Sequence, residues 1–117
     1  MSQKKEIKFT IELDDRNMPQ KIQWETSDDG EGPQECASLM IYMWDPRAQN
    51  SMSIDLWTRH MLVDHMNIHF FHKLMKMADT YGRATGNQEG AAKIREFAKD
   101  FGIQAKGFRD QQAKGGQ

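Results

Sequence analysis

All four histidines lie between His60 and His72, and three of them, His65, His69 and His72, are spaced by four and then three residues. In a helix, which turns about 100° per residue, His69 falls at about +40° and His72 at about −20° from His65. Three imidazoles on one narrow arc are a candidate set of metal ligands, because a helical His pair four apart can bind zinc or nickel. A catalytic zinc site also needs a distant ligand, an open coordination position and an orienting outer shell. Nothing beside His65 supplies a general base: Met66 and Asn67 follow it. The apolar residues of the same segment centre near 160° on this scale, so the histidines are expected on the outer, water-facing side. There they bind metal weakly and gain positive charge in mild acid.

Other chemistry is thinner still. Cys36 is the only cysteine, so no intrachain disulfide forms, and it has no neighbouring His or basic residue to activate a thiolate. Residues 27–34, Ser-Asp-Asp-Gly-Glu-Gly-Pro-Gln, form an acidic, glycine-containing loop. It lacks the alternating oxygen ligands and distal Glu of a calcium loop. Gly30-Glu31-Gly32 lacks the Lys-Ser/Thr of a phosphate loop, and no Gly-x-Ser-x-Gly elbow is present.

The elements that would position these groups read clearly. Residues 5–14 alternate strictly, with Ile7, Phe9, Ile11 and Leu13 on one side and Glu6, Lys8, Thr10 and Glu12 on the other. A turn over residues 14–19 leads to a short strand with Ile22 and Trp24, completing a hairpin. Residues 37–45 are apolar on both sides. After a turn over residues 46–50, Met52, Ile54 and Leu56 alternate with Ser53, Asp55 and Trp57. Pairing these two strands by their apolar pattern puts Ile41 and Met43 on a core face with Ile54 and Leu56. Met40, Tyr42, Trp44, Asp55 and Trp57 then share the opposite face.

Residues 63–85 read as the principal helix, with Asp64 placed to cap its start. Its core stripe is Val63, Met66, Phe70, Leu74, Met77 and Tyr81. Gly86 is the expected stop. Asn87 caps a second helix to about Phe108, with a stripe of Ala91, Ile94, Phe97, Ala98, Phe101 and Ala105. The expected fold class is α+β. Residues 1–108 form one domain, a four-stranded antiparallel sheet of two hairpins followed by two amphipathic helices packed on one face. Residues 109–117 are expected to be a disordered C-terminal tail.

The first two strands turn charged residues outward, but the next two present Met40, Tyr42, Trp44 and Trp57 beside Asp55. Tyr and Trp combine large apolar area with a polar handle, which suits interfaces. This face is the candidate partner-binding site unless residues 26–36 or the second helix fold over it. Nine methionines fill the core or, at Met40, an adaptable surface.

Composition sets the outer bounds. The chain has 117 residues with 16 basic and 17 acidic side chains. Residues 1–85 hold 10 basic and 13 acidic, residues 86–117 hold 6 and 4, and no basic stripe marks a nucleic-acid binder. No apolar stretch has the length of a signal peptide or a membrane span, so a cytoplasmic location and no membrane insertion are expected.

From Ile54 onward the text becomes distinctive: Ile54-Asp55-Leu56-Trp57-Thr58, Met61, Val63-Asp64, Phe70-Phe71-His72, Met77-Ala78-Asp79-Thr80-Tyr81 and Arg83-Ala84-Thr85. With the alternating start and Lys21-Ile22-x-Trp24, this resembles the GldC family of gliding-motility-associated proteins of the Bacteroidetes, over about residues 5–108. Leu62 stands where a proline is expected before Val63-Asp64. Of the histidines, His72 alone falls in the family-like text. The resemblance implies a small protein associated with gliding and carries no catalytic residues or cofactor. The leading expectation is a non-enzymatic cytoplasmic interaction protein that supports gliding by docking an apolar sheet or helix face onto other gliding-machinery proteins or onto itself, as a homodimer. Two alternatives stand beside it: a small metal-binding protein or metalloenzyme using His65, His69 and His72, and a chaperone-like adaptor for secreted cargo.

Overall fold

Strict alternation in the first strand and turn chemistry after it produce the first hairpin. In a computed structural model, which describes residues 3–28 and 30–115 with side chains to Asp110, β1 (Ile7–Leu13) pairs antiparallel with β2 (Pro19–Thr26). Phe9 faces Trp24 and Ile11 faces Ile22, so the apolar sets share a side. The turn is held by Asp14, whose carboxylate accepts the N–H groups of Arg16 at 2.8 Å and Met18 at 3.0 Å. Asn17 takes the left-handed conformation there (φ 61°) that short polar side chains tolerate. These backbone bonds, Met18 first, hold the Asp14 carboxyl below its ordinary value, with the Arg59 charge adding to them.

A third strand joins this hairpin. β3 (Gln34–Cys36) pairs antiparallel with β2, setting Ile22 opposite Cys36 and Trp24 opposite Gln34. Gln-Glu-Cys carries no strand pattern of its own, so neighbouring β2 and not local propensity makes it a strand. At Ala37 the chain bends, and β4 (Ser38–Asp45) pairs with β5 (Asn50–Trp57) in a separate sheet. The expected four-stranded sheet is therefore corrected to a three-stranded sheet, β1-β2-β3, and a two-stranded one, β4-β5. The physical cause is the bend: the Ala37 carbonyl accepts the N–H of buried Thr58 at 2.9 Å, aligning the following residues with β5.

α1 (Val63–Thr85) has the expected bounds, but Leu62 at its N-cap, extended at φ −75° and ψ 154°, makes no side-chain cap. Asp64 does not cap either; it pairs with Arg109 at 2.8 Å. Gly86 ends the helix in the left-handed conformation (φ 77°), its N–H bonded to the Gly82 carbonyl at 2.9 Å. α2 (Gln88–Gly115) begins as expected: the Asn87 side chain accepts the N–H of Gly90 at 2.9 Å, three residues on. Its end is corrected. The helix passes Phe108 and continues to Gly115, because residues 109–114 are good helix formers without proline and Arg109 is tied to α1. Of the expected disordered tail, residues 116 and 117 lie outside the described residues.

The chain divides into two compact units, Met1–Met61 and Leu62–Gln117. The core of the strand unit is Ile22, fully buried. Ile7, Phe9 and Leu13 of β1 are exposed although their alternation predicts a buried side. In the helix unit the buried residues are small: Ala78 and Gly82 of α1, and Ala91, Ala98 and Ala105 of α2. The last three are seven residues apart, the repeat that keeps one helix line against a partner. A Cβ on Gly82 would lie 3.4 Å from the Ala91 methyl, and one on Gly102 3.3 Å from the Phe71 ring. The expected α1 stripe is corrected accordingly. Val63, Phe70, Met77 and Tyr81 are exposed, because the helices close on their smallest side chains.

Candidate interaction surface

The β4–β5 register fixes which side chains share a face. Met40 lies opposite Asp55, Tyr42 opposite Ser53, Trp44 opposite Ser51 and Ser38 opposite Trp57. Directly opposed residues point the same way, so the predicted set of Met40, Tyr42, Trp44, Asp55 and Trp57 is brought onto one side. The turn that sets this register is polar: Asp45 accepts the N–H of Arg47 at 2.9 Å, and Gln49 takes φ 54°. Tyr42 is 66% exposed, Trp44 61% and Trp57 51%, while Met40 is half-buried. Ser53 Oγ donates to Asp55 at 3.3 Å, so the β5 row of this face is Ser, Ser, Asp and Trp beside the β4 row of Met, Tyr and Trp. A partner meeting this face finds two strips, one of aromatic area and one of hydrogen-bonding groups.

The other side pairs Leu39 with Leu56, Ile41 with Ile54 and Met43 with Met52. Its register is the expected one, but it is not a closed core. Leu39, Ile41 and Leu56 are half-buried, and Met43, Met52 and Ile54 are exposed. A two-stranded sheet has too little surface to bury either of its faces.

The histidines separate. His65 and His72 are exposed, whereas His69 is half-buried with Nε2 shut from solvent and without a hydrogen bond. The expectation of three water-facing imidazoles is corrected at His69. Loss of hydration lowers its pKa, and the charges of Lys73 and His72 lower it further. No group of three or more His, Cys, Asp or Glu side chains among the described residues could hold a metal ion. Burial first, and Glu35 after it, push the Cys36 thiol up against a backbone bond from Ser38, leaving it in its unreactive form. In the acidic loop, Asp28 pairs with Lys5 at 3.2 Å and Glu31 accepts from Gln34 at 2.9 Å.

One concave feature lies outside every expected site. A groove of about 700 Å³ opens between the ends of α1 and α2, floored by Ile68, Phe71 and Ile103 and rimmed by Lys99, Lys106 and Arg109. Its signal in the text was Ile68 and Ile103, apolar residues off both expected stripes. No helix among the described residues is long and apolar enough to cross a membrane.

Against known proteins, a family model described as "Gliding motility-associated protein GldC-like" matches residues 19–107. No curated protein and no solved structure matches the chain.

Proposed function

This chain belongs to the GldC-like family of gliding-motility-associated proteins, and from that premise we propose that it supports gliding as a non-enzymatic cytoplasmic interaction protein. It docks the Met40, Tyr42, Trp44, Asp55 and Trp57 face onto another component of the gliding machinery or onto itself. The observation that carries this reading is the exposure of Tyr42, Trp44 and Trp57 on one side of a single hairpin. Isolated exposed apolar residues are ordinary, but a contiguous set rich in Trp and Tyr is what interface centres are made of. The adjacent Ser53–Asp55 pair gives such a contact direction, since a partner must offer a donor there.

Capture from a gliding cell tests it. The wild-type chain is expected to retain a motility component, and Trp57→Ala to lose at least about tenfold in retention, the scale of a hot-spot truncation. Capture that yields no motility component, or that is indifferent to Trp57→Ala and Tyr42→Ala, removes this reading. Stoichiometric zinc, nickel or iron on untagged protein would replace it with the metal-binding one.

A further inference from the structure

α1 and α2 close on small residues, and several larger apolar ones beside that seam are exposed. Near the start of α1 and the end of α2 such residues line the groove of about 700 Å³. Ile68 and Phe71 enter it from α1 and Ile103 from α2; Ile68 is 52% exposed and Ile103 74%. Single exposed apolar residues are ordinary, but these three line one concave surface. Gly102 deepens it, because a Cβ there would stand 3.3 Å from the Phe71 ring.

The charges along the groove are not balanced. Asp64 and Arg109 neutralise each other at 2.8 Å. Lys99 and Lys106 also line the groove, and among the described residues neither is in an ion pair. They are seven residues apart on α2, so their positions repeat along the groove at about 10.5 Å, by 1.5 Å per residue. Asp110 stands one turn beyond Lys106 and ends the basic stretch.

We propose that this groove takes an amphipathic α-helix of a partner protein. The guest helix is apolar on the side that meets Ile68, Phe71 and Ile103, and beside that side it carries two carboxylates seven residues apart. Spacing and charge select this occupant. A helix brings a side chain back to nearly the same line every seven residues, at about 10.5 Å, so two acidic residues come opposite Lys99 and Lys106 together. A strand shows the side chains of one face at about 6.8 and 13.6 Å and misses that spacing. A single-headed amphiphile reaches only one of the two lysines. A second copy brings the wrong charge: an antiparallel α2 centred on Ile103 would set its Lys106 beside Lys99. Asp110 fixes the register, because a third guest carboxylate one turn on would meet a like charge. An apolar helix face laid into a groove is a recurrent recognition mode, and here it would extend a two-helix unit to three. The inference rests on α1 and α2 and does not depend on the reading of the β4–β5 face.

A fluorescein-labelled, alanine-rich peptide of about 18 residues tests it, with leucines along one side and two glutamates seven residues apart beside them. Anisotropy against the full chain should show saturable binding with a dissociation constant below about 100 μM, weakening as salt is raised. The same peptide with lysines in place of the glutamates should bind at least about tenfold more weakly. Lys99→Glu combined with Lys106→Glu should invert that order and favour the lysine peptide, a result that loss of folding cannot imitate. Ile103→Glu, at an exposed position, should keep the helix content and weaken the glutamate peptide by at least about tenfold. No saturable binding of the glutamate peptide, equal binding of both peptides, or a charge-reversed chain that still prefers glutamate overturns the proposal. So does a groove that takes dodecanoate and not the peptide, or a dimer in sedimentation that Ile103→Glu returns to 13.6 kDa.

Discussion

The β4–β5 hairpin and the α1–α2 hairpin solve the same problem in opposite ways. Each joins two neighbouring elements through a tight polar turn. The helical pair closes on its smallest residues, Ala78, Gly82, Ala91, Ala98 and Ala105, so that backbones approach and little side chain is needed between them. The strand pair holds its two pairing strands together by backbone bonds and turns its largest side chains, Tyr42, Trp44 and Trp57, to the outside. Size alone therefore misleads in this chain: the side chains that hold its helices together are small, and the large ones are displayed. A small residue in the seam should be less replaceable than a tryptophan on the sheet.

The largest expected effect tests that inversion directly. Ala98→Leu forces extra methylenes into a filled seam and should cost about 1–3 kcal/mol, read as a lowered urea midpoint. Phe97→Ala, one position away and exposed, should change the midpoint far less. Equal effects would mean that the seam is not where the helices are held. Next comes the turn between the helices. Asn87→Ala removes the acceptor for the Gly90 N–H and should cost about 1 kcal/mol in the same measurement. On the strand side, Trp44→Ala should stay within about 0.5 kcal/mol of wild type, because the side chain is mostly in solvent. A larger loss would move Trp44 from display to core.

The smallest effect is a pH dependence. The folded pKa of His69 is lowered, so below pH 6.5 the unfolded chain takes up a proton that the folded chain refuses. Its contribution is fully present above pH 6.5 and is lost as the pH falls from there through the folded value. His69→Leu should flatten the decline in midpoint between pH 7 and pH 5. An imidazole titration showing His69 at or above 6.5 would undo the assignment.

Much of the fold is legible in the text, and what is not depends on contacts made outside each local segment. The bounds of α1, the Gly86 stop, the Asn87 cap and the parity of the β4–β5 register all follow from local signals: periodicity, turn chemistry and alternation. The set of residues sharing the Tyr42–Trp57 face was readable because a register error would have flipped every side chain. The three-residue β3 was not readable, since Gln34-Glu35-Cys36 becomes a strand only against β2. Nor was the split at Ala37, where one bend turns a continuous extended run into members of two sheets. Periodicity misplaces the α1 seam because it marks the large apolar residues, whereas the helices close on small ones. His69 was misplaced because an angle on a helical wheel does not report what covers a single ring nitrogen.

The pairing pattern has a consequence for how the chain is made. β1 pairs with β2, β2 with β3, β4 with β5 and α1 with α2, so each paired element meets its neighbour in sequence. Closing short loops costs little entropy, and proteins dominated by such local contacts fold fast. Each strand hairpin can form as soon as its second arm leaves the ribosome, before the helices are made. The β4–β5 pair then emerges with Tyr42, Trp44 and Trp57 displayed before α1 and α2 exist. During synthesis that aromatic face is exposed to whatever other chains the ribosome's surroundings hold.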